Sequence, residues 1–193
     1  MRNALIGLSA IAALGALPAE AADVAAGKAK ATEICAGCHG ENGISQMENI
    51  PSLAGQLDQY IQWQLVYFRA GSRKNEAMQP IVEQLNNDDI RNLGAYFASL
   101  TPPKAAPDND ADLSKKGAQA AVGRRCASCH TDSFAGTKAV ARLTGQREEY
   151  LSKALRDYKS GARFGGAGGA MTDVAYPLND EEIVALAHYL AHL

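Results

Sequence analysis

The sequence predicts an all-α protein in which two small helical domains follow one another along the chain. Three observations carry that prediction. The chain aligns with itself at an offset of about 90 residues, which is a duplicated unit of domain size and not a solenoid repeat. Apolar residues recur at helical spacing, as at Leu57, Ile61, Leu65 and Phe68, and neither half shows the alternation of a half-buried strand. Between the halves, the run from Thr101 to Asp110 sets three prolines among small and polar residues, the composition of an extended, fairly stiff linker.

Taken in order, residues 1–21 read as an export signal. Arg2 is a minimal charged region, the apolar run spans Ala4 to Leu17, and Pro18 precedes Ala19-Glu20-Ala21, with cleavage expected after Ala21. Those 14 apolar residues fall short of the roughly 20 that a membrane-spanning helix needs. The mature chain is therefore expected in the periplasm, with at most peripheral membrane association. The first domain is placed at 22–100, the linker at 101–111 and the second domain at 112–193. Ala25 to Cys35 is Ala- and Lys-rich and reads as a first helix, and Leu57 to Arg69 reads as another, closed by Gly71. The last helix of each half is expected to start at Asn87-Asp-Asp-Ile and at Asn179-Asp-Glu-Glu, an N-cap followed by acidic residues at the positive end of the helix dipole. With three or four short helices in about 80 residues, each half is marginal alone and calls for a metal, disulfide or cofactor to complete its core.

Composition narrows the function. The chain is 47% hydrophobic and 21% charged, which excludes wholesale disorder and a polytopic membrane protein. The net charge of -2, without a concentrated basic patch, gives no nucleic-acid reading. Residues 23–103 carry six basic and nine acidic side chains, whereas residues 112–193 carry eleven and nine. A mildly acidic and a mildly basic end are expected to dock different partners.

The repeat is specific where chemistry is concentrated. Cys35-Ala-Gly-Cys38-His39 answers Cys126-Ala-Ser-Cys129-His130 at an offset of 91, and Leu53-Ala-Gly55-Gln56 answers Leu143-Thr-Gly145-Gln146 at 90. From Met78 and Met171 onward the offset is 93, so three extra residues fall in the glycine-rich run 165–169. In Cys-x-x-Cys-His, two thiols add across the vinyl groups of a haem while the adjacent histidine reaches the iron. Cys35, Cys38, Cys126 and Cys129 are thus expected to anchor two covalently bound haem c groups, with His39 and His130 as proximal ligands. A redox dithiol would not require the histidine and would sit in a mixed α/β pattern. Zinc would ask for two further ligands per site, and only His188 and His192 are spare.

Met78 and Met171 occupy equivalent repeat positions in what reads as a loop before each last helix, and are expected as the sixth ligands. Met47 has no counterpart and is expected to be exposed or to fill a gap. An iron with both axial positions filled has nowhere to bind substrate, so the chain is expected to carry electrons and not to be an enzyme. His188 and His192 share one helix face and could in principle hold a metal or replace Met171. The first half manages with Ala95 and Ser99 there, so both are expected to be surface or packing residues.

On these stretches the sequence resembles the dihaem cytochrome c4 family over essentially the whole mature chain. The stretches are Cys35-Ala-Gly-Cys38-His39-Gly-Glu-Asn-Gly43, Pro51-Ser-Leu-Ala-Gly-Gln56, Phe68-Arg-Ala-Gly71 and Met78-Gln-Pro-Ile81, with fainter copies after Cys126. The resemblance implies two tandem class I cytochrome c domains with their haems close enough for internal transfer. It also implies periplasmic passage of electrons to an oxidase, cytochrome complex or dehydrogenase partner, and a proline carbonyl, here that of Pro51, that accepts the free ring proton of His39. The second half departs from the pattern. Ala141 or Arg142 stands in place of that proline, and Thr131-Asp132 replaces Gly40-Glu41. Loss or remodelling of the acceptor would alter ligand orientation, so distinct haem potentials are expected. Two other readings stand beside the free carrier: a cytochrome subunit dedicated to one dehydrogenase, and a dihaem enzyme such as a peroxidase or a thiosulfate-oxidising protein.

Overall fold

The computed structural model describes residues 21–164 and 169–193. The export signal lies outside the described residues except for Ala21, and so does most of the glycine-rich run. Among the described residues there are ten helices and no strand: α1 (Val24–Ile34), α2 (Ala36–His39), α3 (Asp58–Arg69), α4 (Gln79–Val82), α5 (Asn87–Ser99), α6 (Ala111–Gly123), α7 (Ala127–His130), α8 (Glu148–Lys159), α9 (Ala170–Ala175) and α10 (Asp180–Ala191). The second five repeat the first five in order.

Local chemistry sets the helix starts. Asp23 accepts the N–H groups of Ala25 and Ala26 ahead of α1, and Asp110 accepts that of Leu113 ahead of α6. Each last helix opens with a full capping box, Asn86 with Asp89 and Asn179 with Glu182. The side chain and backbone of cap and third helical residue satisfy one another's orphan groups. In the first half the cap is therefore Asn86, and not Asn87 as the run of acidic residues suggests. Asn87 is already helical, and its Oδ1 accepts Arg69 Nη2 at 2.8 Å. Five helices per half exceed the three or four expected because α2, α4, α7 and α9 are single turns or little more, too short to show periodicity.

The first and last helices of each half cross at a glycine. A Cβ on Gly27 would stand 2.1 Å from the Asn92 carbonyl oxygen, and one on Gly117 would stand 2.1 Å from that of Ala185. Only glycine permits that approach of α1 to α5 and of α6 to α10. Ile61 and Phe68 of α3 close the first core with Ile90, Leu93 and Phe97 of α5, and Leu151 and Tyr158 of α8 close the second with Ile183, Leu186 and Leu190 of α10. The largest fully buried side chains are only Leu93, Leu178, Ile183 and Val82, besides Ser45. Domains of about 80 residues bury too little surface to be robust alone, at about 1.5–3 kcal/mol per buried aliphatic side chain, and gain from a further apolar body.

The halves meet through a reciprocal clamp. Gln146 Oε1 accepts the Ser52 N–H at 2.9 Å while its Nε2 donates to the Ser52 carbonyl at 2.8 Å. Gln56 Oε1 accepts the Arg142 N–H at 2.7 Å while its Nε2 donates to the Arg142 carbonyl at 3.1 Å. Ser52 and Arg142 are repeat equivalents, as are Gln56 and Gln146, so the contact has approximate twofold symmetry. Alongside it, Arg163 donates to Tyr60 at 2.9 Å, to Gln64 at 3.0 Å and to Tyr150 at 3.2 Å. Arg73 reaches the same Gln64 at 2.5 Å and Tyr150 at 3.3 Å.

Candidate haem sites

Each Cys-x-x-Cys-His stretch forms the corner between two helices. Cys35 ends α1 and begins α2, its carbonyl accepting the His39 N–H at 3.0 Å, and Cys126 does the same for His130 at 3.1 Å. That turn leaves Cys38 and Cys129 exposed, Cys35 and Cys126 half-buried, and both histidines buried. Burial pushes the Cys35 thiol up to about 11, against a smaller pull from Lys30, and raises that of Cys126 as well. A redox dithiol works through a depressed thiol pKa, and Cys35 and Cys126 are shifted the other way. Among the described residues, no clustered histidine or carboxylate joins either cysteine pair to make a zinc site.

The His39 Nδ1–H donates to the Pro51 carbonyl at 2.8 Å, and the His130 Nδ1–H donates to the Ala141 carbonyl at 2.8 Å. A proton held on Nδ1 leaves Nε2 as the free lone pair, the arrangement of a metal-ligating imidazole. Burial lowers both histidines below their ordinary value, against the raising effect of those same carbonyl bonds, and the charge of Arg73 lowers His39 further. Both rings are thereby kept neutral and able to ligate.

The equal distances correct the expectation that the second half loses or remodels this acceptor. The acceptor is a backbone carbonyl, which alanine supplies as well as proline once the chain follows the same path. That path is kept at the expense of backbone comfort. Thr131 has φ 69° and ψ 163°, close to the φ 83° and ψ 149° of its counterpart Gly40, and Phe134 has φ 53° where Gly43 has φ 68°. Phe134 still accepts the Leu143 N–H at 2.8 Å as Gly43 accepts that of Leu53 at 2.7 Å.

Met78 packs with Cys35 on the first core, and Met171 packs with Cys126 on the second. Met78 caps α4, whereas Met171 is the second residue of α9 and not part of a loop. Met47 is 47% exposed, as expected of a methionine without a counterpart.

Sequence reasoning missed the interface. Gln56 and Gln146 were visible as a repeat match without a role, and Arg73 and Arg163 gave no motif signal. Arg163 is 4% exposed, and neither it nor Arg73 pairs with a carboxylate among the described residues. Among the described residues, Arg163 Nε is buried without a partner. Burial of Tyr150 pushes its hydroxyl up, and these two guanidiniums outweigh that and hold it below its ordinary value. A buried charge without a counter-ion is costly, so this interface fits an anionic group such as the propionates of a haem. The neutral histidines, unpaired thiols and small cores fit the same cofactor.

Two halves that each join a paired thiol, a carbonyl-held histidine and a packed methionine define a dihaem c-type cytochrome. The Cytochrome c family matches residues 24–101 and 114–193. The chain belongs to the cytochrome c4 family: it is 32% identical to cytochrome c4 of Azotobacter vinelandii over the full length of both chains. The crystal structure of reduced recombinant cytochrome c4 from Pseudomonas stutzeri superposes with a TM-score of 0.81 at 31% identity, covering 90% of this chain and all of that one. A thiosulfate dehydrogenase electron acceptor of Stutzerimonas stutzeri strain A1501 is 31% identical over 98% of this chain and 94% of its own. A thiosulfate dehydrogenase structure from Marichromatium purpuratum matches with a TM-score of 0.77 at 32% identity, covering 88% of this chain and 40% of that one. The protein is a dihaem electron-transfer cytochrome with two covalently bound haem c groups and redox proteins as its partners.

Proposed function

We propose that Cys35, Cys38, Cys126 and Cys129 form the thioether links, that His39 with Met78 and His130 with Met171 are the two axial pairs, and that the haem domains comprise residues 22–100 and 112–193. The observation that carries this is the buried imidazole of each half, with Nδ1–H donated to a carbonyl at 2.8 Å and Nε2 left free. When bound, each haem supplies a one-electron iron couple. The chain's own residues hold and orient it: the helix corners set the thiols, the Pro51 and Ala141 carbonyls fix the rings, and the cores exclude water. With Met78 and Met171 as further ligands, the thioether would favour the reduced state and leave no position for a substrate. The protein then passes single electrons between a donor and an acceptor in the periplasm and performs no bond chemistry. One asymmetry between the halves is electrostatic: burial and the Arg73 charge lower His39, whereas burial is what lowers His130.

Optical spectra of the oxidised and reduced protein, with covalent haem quantified, test this reading. Two haems with the full far-red intensity of methionine-ligated ferric iron are expected. Half that intensity, or a high-spin component, would leave one iron open and move the assignment toward an enzyme.

The similarity to a thiosulfate dehydrogenase electron acceptor, and to part of a thiosulfate dehydrogenase chain, favours a second reading as the dedicated electron-accepting subunit of a sulfur-compound dehydrogenase. Stoichiometric co-purification with a catalytic subunit would select that reading over a free shuttle.

A further inference from the structure

The second half carries a side-chain cluster that the haem chemistry does not use. His188 and His192 stand one turn apart on α10, and Glu148 opens α8 against them. A ring nitrogen of each histidine and a Glu148 carboxylate oxygen all lie within 4.8 Å of one another. His188 Nδ1 is 3.1 Å from Glu148 Oε2, and His188 Nε2 is 3.1 Å from Asp108 Oδ1, contributed by the linker. His192 Nδ1 lies 2.9 Å from the His188 carbonyl oxygen and 3.9 Å from Glu148 Oε2. The His188 side chain is 4% exposed and that of Glu148 is 37% exposed, so the cluster is walled on one side and open on the other.

We propose that His188, His192 and Glu148 form a binding site for a zinc-type divalent cation, with Asp108 holding the outer ring nitrogen of His188. Two histidines and one carboxylate are a donor set that takes zinc with water in the remaining position. Ligand atoms around a tetrahedral zinc at about 2.0–2.1 Å stand roughly 3.3 Å apart, close to the separation of His188 Nδ1 from Glu148 Oε2. Metal-ligating histidines give their other N–H to a carboxylate or a backbone carbonyl. His188 does so here, through Asp108 at 3.1 Å.

Two carboxylates also face the ring, Glu148 at Nδ1 and Asp108 at Nε2. The first half has Asp58, Ala95 and Ser99 at the positions of Glu148, His188 and His192. A function shared by both haem domains therefore does not account for the cluster. Because Asp108 belongs to the linker, a bound cation would fasten the linker to the second domain.

Zinc chloride titrated calorimetrically into the intact dihaem protein tests the site. Saturable uptake of one zinc per chain is expected, weakened at least tenfold in His192→Ala and in Glu148→Gln. Asp108→Asn should cost about 10–100-fold, the range for loss of an outer partner. Haem content, far-red absorbance and both redox midpoints should be unchanged in these variants, which also reports that they fold. Absence of saturable uptake would overturn the proposal, leaving His188 as an imidazolium between two carboxylates. Uptake of equal affinity in His192→Ala and Glu148→Gln would overturn it too, placing the zinc elsewhere.

Discussion

The side-chain amide of Gln146 grips both backbone groups of Ser52 across the domain boundary, accepting at 2.9 Å and donating at 2.8 Å. Ser52 directly follows Pro51, whose carbonyl holds His39, so the second domain braces the residue next to the first domain's histidine acceptor. Gln146→Ala leaves a buried N–H and carbonyl without partners, a loss of about 2–3 kcal/mol at roughly 1 kcal/mol or more per group. It is expected to lower the denaturation midpoint and to shift the midpoint potential of the first haem more than that of the second. Gln56→Ala should do the reverse. Spectroelectrochemical titration reads both, and equal shifts of the two potentials in each variant would remove the proposed coupling.

After burial, the Arg73 charge lowers His39, whereas burial is the lowering cause at His130. A fixed positive charge disfavours the oxidised iron, so the first haem is expected to have the higher potential. Arg73→Gln should lower it by tens of millivolts, on the order of a single charge acting across a partly screened domain. A redox titration of the unaltered protein that fits one midpoint for both haems would contradict this.

Methionine ligation predicts additive optics. Met171→Leu should abolish half of the far-red absorbance of the ferric protein, Met78→Leu the other half, and Met47→Leu none of it. A full-intensity band in Met171→Leu would assign the second site's sixth ligand to another residue.

Thr131 occupies a backbone region that is essentially restricted to glycine (φ 69°, ψ 163°), at about 1–3 kcal/mol for a side chain-bearing residue. Thr131→Gly relieves that strain at about 0.5–1 kcal/mol of added chain entropy, for a net gain of about 1 kcal/mol. The mirror change is forbidden, because a Cβ on Gly40 would stand 2.3 Å from the Ile44 carbonyl oxygen. Gly40→Thr should therefore prevent haem incorporation or sharply lower stability in urea unfolding.

Glu182 is held below its ordinary value, first by the Asn179 N–H of its capping box and then by the Arg124 guanidinium at 2.8 Å. A carboxylate with a depressed folded-state pKa contributes stability above its unfolded value near 4.5, and that contribution is lost as pH falls through the folded value. Glu182→Ala should cost about 1 kcal/mol near neutrality, the usual worth of a cap. The gap from the unaltered protein should close in acid. Unfolding curves at pH 7 and below pH 4 check the sign, and a gap that widens on acidification would refute it.

Much of this protein was written in the chain because its determinants are local. Cys35, Cys38 and His39, and their copies at Cys126, Cys129 and His130, are fixed within one helical turn, and the repeat alone equates Met78 with Met171. Helix positions followed from periodicity, and the repeat could have corrected the Asn87 cap, since Asn86 aligns with Asn179. Tertiary structure alone decided what depends on where distant backbone arrives. The Ala141 carbonyl replaces that of Pro51 because hydrogen bonding to a main-chain oxygen carries no side-chain signature. Gln56, Gln146, Arg73 and Arg163 acquire roles only when the halves meet, and His188 finds Asp108 and Glu148 across 80 and 40 residues of sequence. Contacts of that separation are set by the packing of whole domains, which no short stretch of sequence encodes.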